Sequence, residues 1–271
     1  MKTFPSGYHQ ERRGMAFIIS YYLLAVMLFM TGCFLISSRF KNFGLVDIAW
    51  GLGYILIVLL SFKLNNHQSG TEYLLGTCIF LWGIRLSSFL FIRNFSKPED
   101  FRYSQMRESW GKTANLQAFF KVFLLQGLLI VIISSPIILR LNSSPIQLGL
   151  FQLIGFLLWG FGFFWESWAD NEKMQFKKNP ENIDRPCTTG PWRYSQYANY
   201  FGEITLWWGL YLISLPHQYF YLSLISPVLI SFLILKVSGI PLLEKKNKER
   251  PSYSEYKKKT NLIFPGRPKE L

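Results

Sequence analysis

Cysteine is scarce in this sequence, which has only three: Cys33, Cys78 and Cys187. They are odd in number and widely spaced, and none has a second cysteine or a histidine at the short spacing that a zinc site uses. The sequence therefore indicates neither a disulfide framework nor a metal site.

The sequence also lacks the alternation of apolar and polar residues that is typical of half-buried strands. Instead, 50% of the residues are hydrophobic and 18% are aromatic, and the apolar residues fall in long blocks. Most blocks reach the ~20 residues that a helix needs to cross the hydrocarbon core. They cover Met15–Ser37, Phe43–Phe62, Tyr73–Ile92, Ala118–Leu139, Gln147–Trp168, Phe201–Leu215 and Tyr219–Pro241. We expect an all-α fold, a polytopic transmembrane helical bundle of about seven spans.

No separate soluble domain or internal repeat is evident. We expect residues 1–271 to form a single integral membrane domain, with N-terminal spans over 15–139 and a cofactor-binding part over 147–271. Arg12 and Arg13 precede the first block, as in a signal peptide. The block has about 22 apolar residues and no clear small-residue cleavage site, so it exceeds the apolar region of a signal peptide. We interpret it as a retained span.

The net charge of +13 is unevenly distributed along the chain. Of the 29 Lys and Arg residues, 21 lie in the links after the first, third and fifth blocks and in the C-terminal tail. This bias places those segments and the C-terminus in the cytoplasm, so nucleic acid is not needed to explain the charge. For the lysine-rich tail, non-specific attraction of anionic lipid and a specific role both stay open. In the longer links, the charges are interleaved with aromatic and amide residues, which favours a binding site there.

Four charged residues follow the fifth apolar block at helical spacing. Glu166, Asp170, Lys173 and Lys177 share one stripe if the helix continues beyond the block. A solvated face with weak ion pairs is one interpretation. A functional stripe is the other, and Glu166 favours it because an unpaired carboxylate among its aromatic neighbours would be costly.

The next link contains two segments with the chemistry of a binding site. In Arg185–Pro191, proline and glycine break any helix, and hydroxyls with backbone amides can approach an anion. In Gly190–Glu203, Asn199 and Glu203 are four residues apart and can point into one pocket, where they can bind a carboxamide or an adenine edge. An interfacial aromatic belt would explain the aromatic residues of this run but not these two together.

Polar residues also interrupt the membrane blocks. Asp47 and Tyr54 share a face of the second helix, and Arg85 and Ser88 share a face of the third. Because an unpaired charge in the bilayer is costly, Asp47 and Arg85 should face the bundle interior. A structural Asp47–Arg85 pair and a catalytic role for Asp47 with Tyr54 both stay open.

The run Gly-Pro-Trp-Arg-Tyr-Ser from Gly190, with the Asn-Tyr-Phe-Gly-Glu that ends at Glu203, resembles the C-terminal signature of steroid 5-alpha-reductase-like membrane proteins, especially the DUF1295 branch. The resemblance extends from about Asp47 to Pro265. It also includes Asp47–Gly51, Arg85–Leu86, Glu99–Tyr103 and the tail from Pro241 to Pro265.

This resemblance implies a seven-helix bundle with a cytoplasmic NADPH pocket and a lipid-like enone between the helices. It implies cofactor contacts for Asp170, Arg193, Asn199 and Glu203, with Tyr194 beside them; Glu166 lies on the same stripe as Asp170. The phosphates of the cofactor need cations, and Lys173, Lys177, Arg185 and Arg193 are available.

The chain departs from the family at two places. It has Gln196, Tyr197 and Ala198 where the family usually has Arg-His-Pro. It has Trp82 where the eukaryotic steroid reductases have a tyrosine. An indole cannot protonate a carbonyl as a phenol can, so steroid reduction is not implied.

The leading hypothesis is an NADPH-dependent reductase of the C=C bond in a lipophilic, steroid- or isoprenoid-like enone. An acid near Asp47, Tyr54 or Tyr103 would stabilise the developing enolate. The alternatives are an S-adenosylmethionine-dependent methyltransferase of the isoprenylcysteine or phospholipid type, and a non-catalytic lipid-binding protein.

The expected partners are the lipid bilayer and a lipophilic small molecule, with no nucleic acid and no obligate protein partner. The Glu270–Leu271 ending is not an ER-retention signal. Together with the resemblance to DUF1295, this ending favours a bacterial inner membrane.

Overall fold

A computed structural model describes residues 6–65, 69–94, 97–248 and 250–269. The side chains of Arg12 and Arg13 and the Glu270–Leu271 ending lie outside this description. The described residues form helices and connecting turns without a strand, so the all-α prediction is confirmed. The α-helices are α1 Ser6–Arg39, α2 Leu45–Leu64, α3 Gly70–Asn94, α4 Phe101–Trp110, α5 Ala114–Ala118, α6 Leu125–Ile133, α7 Ser135–Leu141, α8 Leu150–Phe176, α9 Ala198–Ile213, α10 Phe220–Ser223, α11 Ile225–Phe232, α12 Ile240–Asn247 and α13 Pro251–Lys259.

Short 3₁₀ and π-helical segments join several of these helices. Six stretches in the described part of the chain are long and apolar enough to cross a membrane. They are Gly14–Arg39, Leu45–Leu64, Gly70–Asn94, Phe101–Ile133, Leu150–Phe176 and Phe220–Lys245. Six of the seven predicted blocks thus lie on membrane-length helices. The protein has the helices of an integral membrane protein.

The remaining predicted block, Phe201–Leu215, which is the sixth along the chain, lies on α9, which has only 16 residues. At 1.5 Å per residue, α9 is about 24 Å long, which is less than the ~30 Å of the hydrocarbon core. Pro216 disfavours a helical conformation of the residue before it, so the helix cannot extend toward its C-terminal side.

The fourth block also differs from its prediction, Ala118–Leu139. The helical stretch runs from Phe101 to Ile133 through a 3₁₀ turn and a π-helical segment. The first half of this stretch is polar, so a hydropathy pattern does not show that the helix begins at Phe101. The stretch ends before Pro136, which occupies the first turn of the separate helix α7.

The chain divides into two compact units. The first contains Met1–Gln147 with His217–Leu222, and the second contains Leu148–Pro216 with Ser223–Leu271. The predicted parts over 15–139 and 147–271 and the single-domain organisation stay predictions.

In the first unit, a buried ion pair joins α3 to α7. Arg140 Nε lies 3.0 Å from Glu72 Oε1, and both side chains are at most 2% exposed. The backbone N–H of Ser69 donates to the same carboxylate at 2.7 Å. No sequence pattern predicts this pair, because Glu72 and Arg140 lie far apart in the chain. The buried side chain of His217 is close enough for the charge of Arg140 to affect its pKa.

In the second unit, small residues bring α8 and α9 into backbone contact. A Cβ atom added at Gly162 would lie 2.6 Å from the carbonyl oxygen of Gly202, and one added at Gly155 would lie 2.7 Å from that of Gly209. The paired positions rise along α8 as they fall along α9, so the two helices are antiparallel. This close contact, which larger residues would prevent, brings the polar end of α8 beside the first turns of α9.

Candidate functional site

Two buried carboxylates of α8 lie at the start of α9. Glu166 is 2% exposed and Asp170 is 7% exposed. A Cβ atom added at Gly202 would lie 2.6 Å from the backbone nitrogen of Glu166. Glu166 is therefore packed against the turn of α9 that carries the half-buried residues Asn199 and Glu203. The lack of a side chain at Gly202 permits this close approach of α8.

The loop before α9 is held against α8. The indole N–H of Trp192 donates to the carbonyl of Ala169 at 2.7 Å, and the Thr189 hydroxyl donates to Glu172 at 2.5 Å. Lys173 Nζ lies 4.2 Å from the centre of the Trp192 ring, a cation–π contact. The loop and the carboxylates of α8 therefore belong to one cluster of side chains.

The last residue of the predicted stripe, Lys177, lies beyond the end of α8 and contacts the following loop. α8 extends to Phe176, so Glu166, Asp170 and Lys173 lie on it as predicted, and Lys177 follows as its C-cap. The Lys177 ammonium donates to the carbonyls of Asn182, Ile183 and Arg185 at 2.5–2.6 Å. It therefore shapes the segment that carries Arg185, whose own side chain is exposed.

Arg193 and Tyr194 lie on the exposed side of the loop. The Arg193 guanidinium is 6.0 Å from the centre of the Tyr194 ring. Arg193 also lines a cavity of ≈ 310 Å³ together with Thr188, Ser252 and Lys259. No sequence pattern predicts this convergence with the C-terminal segment, because Lys259 is 66 residues from Arg193 and no periodic pattern links them.

The residues that replace Arg-His-Pro hold the C-terminal segment in place. The Gln196 backbone N–H donates to the carbonyl of Asn261 at 2.9 Å, and its side-chain amide donates to that of Thr260 at 2.5 Å. The buried Tyr256 hydroxyl donates in turn to the carbonyl of Trp192 at 2.5 Å. The departure at Gln196 therefore replaces a cation with a structural anchor.

Tyr197 and Ala198 also have structural positions. The Tyr197 hydroxyl donates to Glu244 at 2.5 Å. Burial, together with the hydrogen bond and charge of Glu244, raises the pKa of Tyr197 far above its ordinary value. Ala198 is fully buried with Ala169 and Trp192. The tyrosine thus stays neutral and links the start of α9 to α12.

The first unit contains a second polar cluster, at the starts of α2 and α4. The Tyr103 hydroxyl donates to Asp47 Oδ1 at 2.5 Å, and Arg102 Nη2 lies 2.6 Å from Asp47 Oδ2. The Asp100 side chain accepts from the Arg102 N–H and so caps α4. Burial alone would raise the pKa of Asp100, but its hydrogen bonds and ion pair with Arg102 outweigh that effect and lower it. The structure therefore brings together two of the three predicted catalytic residues.

A neighbouring ion pair fixes the start of α4. Arg107 donates to both oxygens of Glu99 at 2.9 and 3.0 Å, and Glu99 accepts from the backbone N–H of Phe43 at 2.5 Å. The Arg107 guanidinium also lies 3.8 Å from the centre of the Phe43 ring. These contacts join α4 to the link between α1 and α2 and hold Tyr103 near Asp47.

Tyr54, the third predicted catalytic residue, occupies a different environment. It is fully buried, and its ring makes edge contacts with Trp50 and Trp82 at 5.4 and 5.3 Å. It follows Asp47 by seven residues, a rise of about 10 Å along α2. The sequence leaves an Asp47–Arg85 pair open, whereas the structure pairs Asp47 with Arg102.

The second unit offers suitable groups for a dinucleotide. Arg185 and Arg193 are exposed cations that can bind phosphate. Glu203 offers a carboxylate and Asn199 an amide, and the Asn199 side chain makes no hydrogen bond to other residues that the structure describes. These residues fit the chemistry of a phosphorylated nucleotide.

Comparison with known proteins identifies a family. The model of the family described as "Protein of unknown function (DUF1295)" matches residues 33–260. No curated protein and no solved structure matches. Because the match covers most of the chain, including both polar clusters, this protein belongs to the DUF1295 family.

Proposed function

We propose that this protein is a membrane reductase that uses NADPH to reduce the C=C bond of a lipophilic, steroid- or isoprenoid-like enone. The observation that carries the proposal is the close contact of α8 and α9 at Gly162 and Gly202. It packs Glu166 against the turn that carries Asn199 and Glu203. This polar group lies at the end of a membrane-length helix and is followed by a loop with exposed arginines.

Several predicted cofactor-binding residues of the second unit have distinct roles in this proposal. Asn199 and Glu203 bind the amide or adenine edges, because together they supply donors and acceptors. Arg185 and Arg193 bind phosphates. Lys173 holds the loop through Trp192, and Glu166 and Asp170 form the buried floor. When bound, NADPH supplies the hydride for the β-carbon of the enone.

We assign the acid of the reaction to Tyr103. Its hydroxyl donates to Asp47, and Asp47 is held by Arg102. To act as the acid, its single O–H would turn from Asp47 to a substrate carbonyl and supply a proton as negative charge develops on that oxygen. Tyr54 lies deeper among indole rings, so we assign it to packing.

The protein acts within the bilayer in this proposal, and its basic links and tail face the cytoplasm of a bacterial inner membrane. A reporter enzyme fused after Leu271 tests this orientation. Activity of a cytoplasm-specific reporter is expected. Activity of a periplasm-specific reporter would contradict it.

The cofactor assignment is tested by thermal unfolding of the detergent-purified protein. At 100 times Kd, a ligand adds about 2.7 kcal/mol to stability, so NADPH should raise the melting temperature while S-adenosylmethionine does not. The double variant Asn199→Ala/Glu203→Ala should lose the shift. The matched control Asn115→Ala/Glu108→Ala changes the same residue types at exposed positions of the first unit and should keep it.

Other results would replace the proposal. A shift with S-adenosylmethionine alone would indicate a methyltransferase. A shift with neither nucleotide would indicate a non-catalytic lipid-binding protein. An unchanged NADPH shift in the double variant would move the cofactor away from α9.

A further inference from the structure

A basic groove lies between α12 and α13 and belongs to neither polar cluster described above. Its volume is ≈ 710 Å³. Cationic and neutral hydrogen-bonding side chains line it: Lys245, Lys248, Lys257, Lys258, Asn247 and Ser254.

The charge of the groove is only partly compensated. Glu244, the acidic residue that lines it, forms an ion pair with Lys257 and accepts a hydrogen bond from Tyr197. The carboxylate of Glu244 is thus already in contact with Lys257 and Tyr197. Lys245, Lys248 and Lys258 are exposed and make no ion pair within the described residues. Three lysine side chains therefore line one space, and their like charges repel each other unless an anion binds.

The position of the groove indicates the source of that anion. The last membrane-length stretch, Phe220–Lys245, ends at the first of these lysines. The same stretch has large exposed apolar side chains, including Phe232 at 54% and Val237 at 46%. The lysines therefore lie where a span leaves the hydrocarbon, at the depth of lipid phosphates, and lysines near such a surface are attracted to anionic lipid. A soluble anion would use the charge but not the adjoining apolar surface.

We propose that this groove binds the headgroup phosphate of an anionic phospholipid, which stays with the protein as a resident lipid. Lys245, Lys248 and Lys258 bind the phosphate, and Asn247 and Ser254 donate to headgroup oxygens. The acyl chains lie along the exposed apolar surface of the last span. The nucleotide is not involved.

Native mass spectrometry of the full-length protein tests the proposal, with phosphatidylglycerol or phosphatidylcholine added to the detergent. The wild type should retain phosphatidylglycerol selectively. The variant Lys245→Gln/Lys248→Gln/Lys258→Gln should bind it at least tenfold more weakly. The control Lys63→Gln/Lys97→Gln/Lys112→Gln removes the same charge from exposed positions elsewhere and should bind like the wild type.

Three outcomes would overturn the proposal: equal loss in the two triple variants, equal retention of both lipids, or displacement of phosphatidylglycerol by millimolar inorganic phosphate. The last would identify a soluble anion as the ligand. Folding is checked by the melting temperature without added lipid, which exposed Lys→Gln changes should preserve. The NADPH shift is measured on the same samples, so a failure of the lipid site is distinguished from a failure of the proposed reductase.

Discussion

The Tyr103 hydroxyl donates a 2.5 Å hydrogen bond to the carboxylate of Asp47, a residue 56 positions earlier in the sequence. Tyr103 is 5% exposed and lies in the first turn of α4, which Asp100 caps and Arg107 holds against Phe43. A phenol, a carboxylate and the Arg102 guanidinium thus meet at one point. Transfer of this proton to a substrate oxygen requires the single O–H of Tyr103 to turn from Asp47 to that oxygen.

Replacing Tyr103 by Phe should lower kcat by 10²- to 10⁴-fold, the usual contribution of a general acid. The NADPH-dependent thermal shift should persist, because Tyr103 is not among the residues proposed to bind the cofactor. Stopped-flow oxidation of NADPH with an enone substrate measures the rate. Tyr54→Phe removes a hydroxyl from another buried tyrosine and should retain activity; the reverse result would make Tyr54 the acid.

The sequence predicted helices and local stripes well, because both depend on residues close together in the chain. Glu166, Asp170 and Lys173 were placed on one helix by their spacing alone, and Asp47 was singled out as a carboxylate in an apolar block. Periodicity could not predict the partners of Asp47, because Arg102 and Tyr103 meet it only when α4 folds back onto α2. The hydrogen bond from Gln196 to the carbonyl of Thr260 could not be predicted for the same reason.

Replacing Gly202 by Ala should destabilise the second unit and abolish the NADPH shift. The new methyl group would lie 2.6 Å from the backbone nitrogen of Glu166, so α8 and α9 would have to separate. Overpacking of this kind costs about 1–3 kcal/mol. Gly160→Ala is the matched control, because its methyl group would meet nothing within 4 Å. Equal melting temperatures for the two variants would contradict the close contact of the helices.

Removing one partner of the Glu72–Arg140 pair should destabilise the protein by about 3–5 kcal/mol, because the remaining charge would be buried without compensation. Arg140→Met tests this by denaturant unfolding in a mild detergent. Glu255→Gln breaks the surface pair with Lys259 and should leave the unfolding midpoint unchanged, since both of those side chains are exposed. A small effect of Arg140→Met would indicate that water reaches the pair.

The unfolding free energy should fall as the pH is lowered from 6.5 to 4, and this fall should depend on His217. Burial, with a further contribution from the charge of Arg140, lowers the pKa of His217 from 6.5 to about 4. In this window the unfolded chain binds a proton that the folded protein does not, so stability increases with pH and is lost on acidification. His217→Gln should flatten this part of the profile, as measured by thermal unfolding at half-unit pH intervals. Subtracting the two profiles cancels the other histidines and the carboxylates, which titrate in both proteins. If the difference is flat from pH 4 to pH 6.5, His217 titrates alike in the folded and unfolded states, and Arg140 does not affect its protonation.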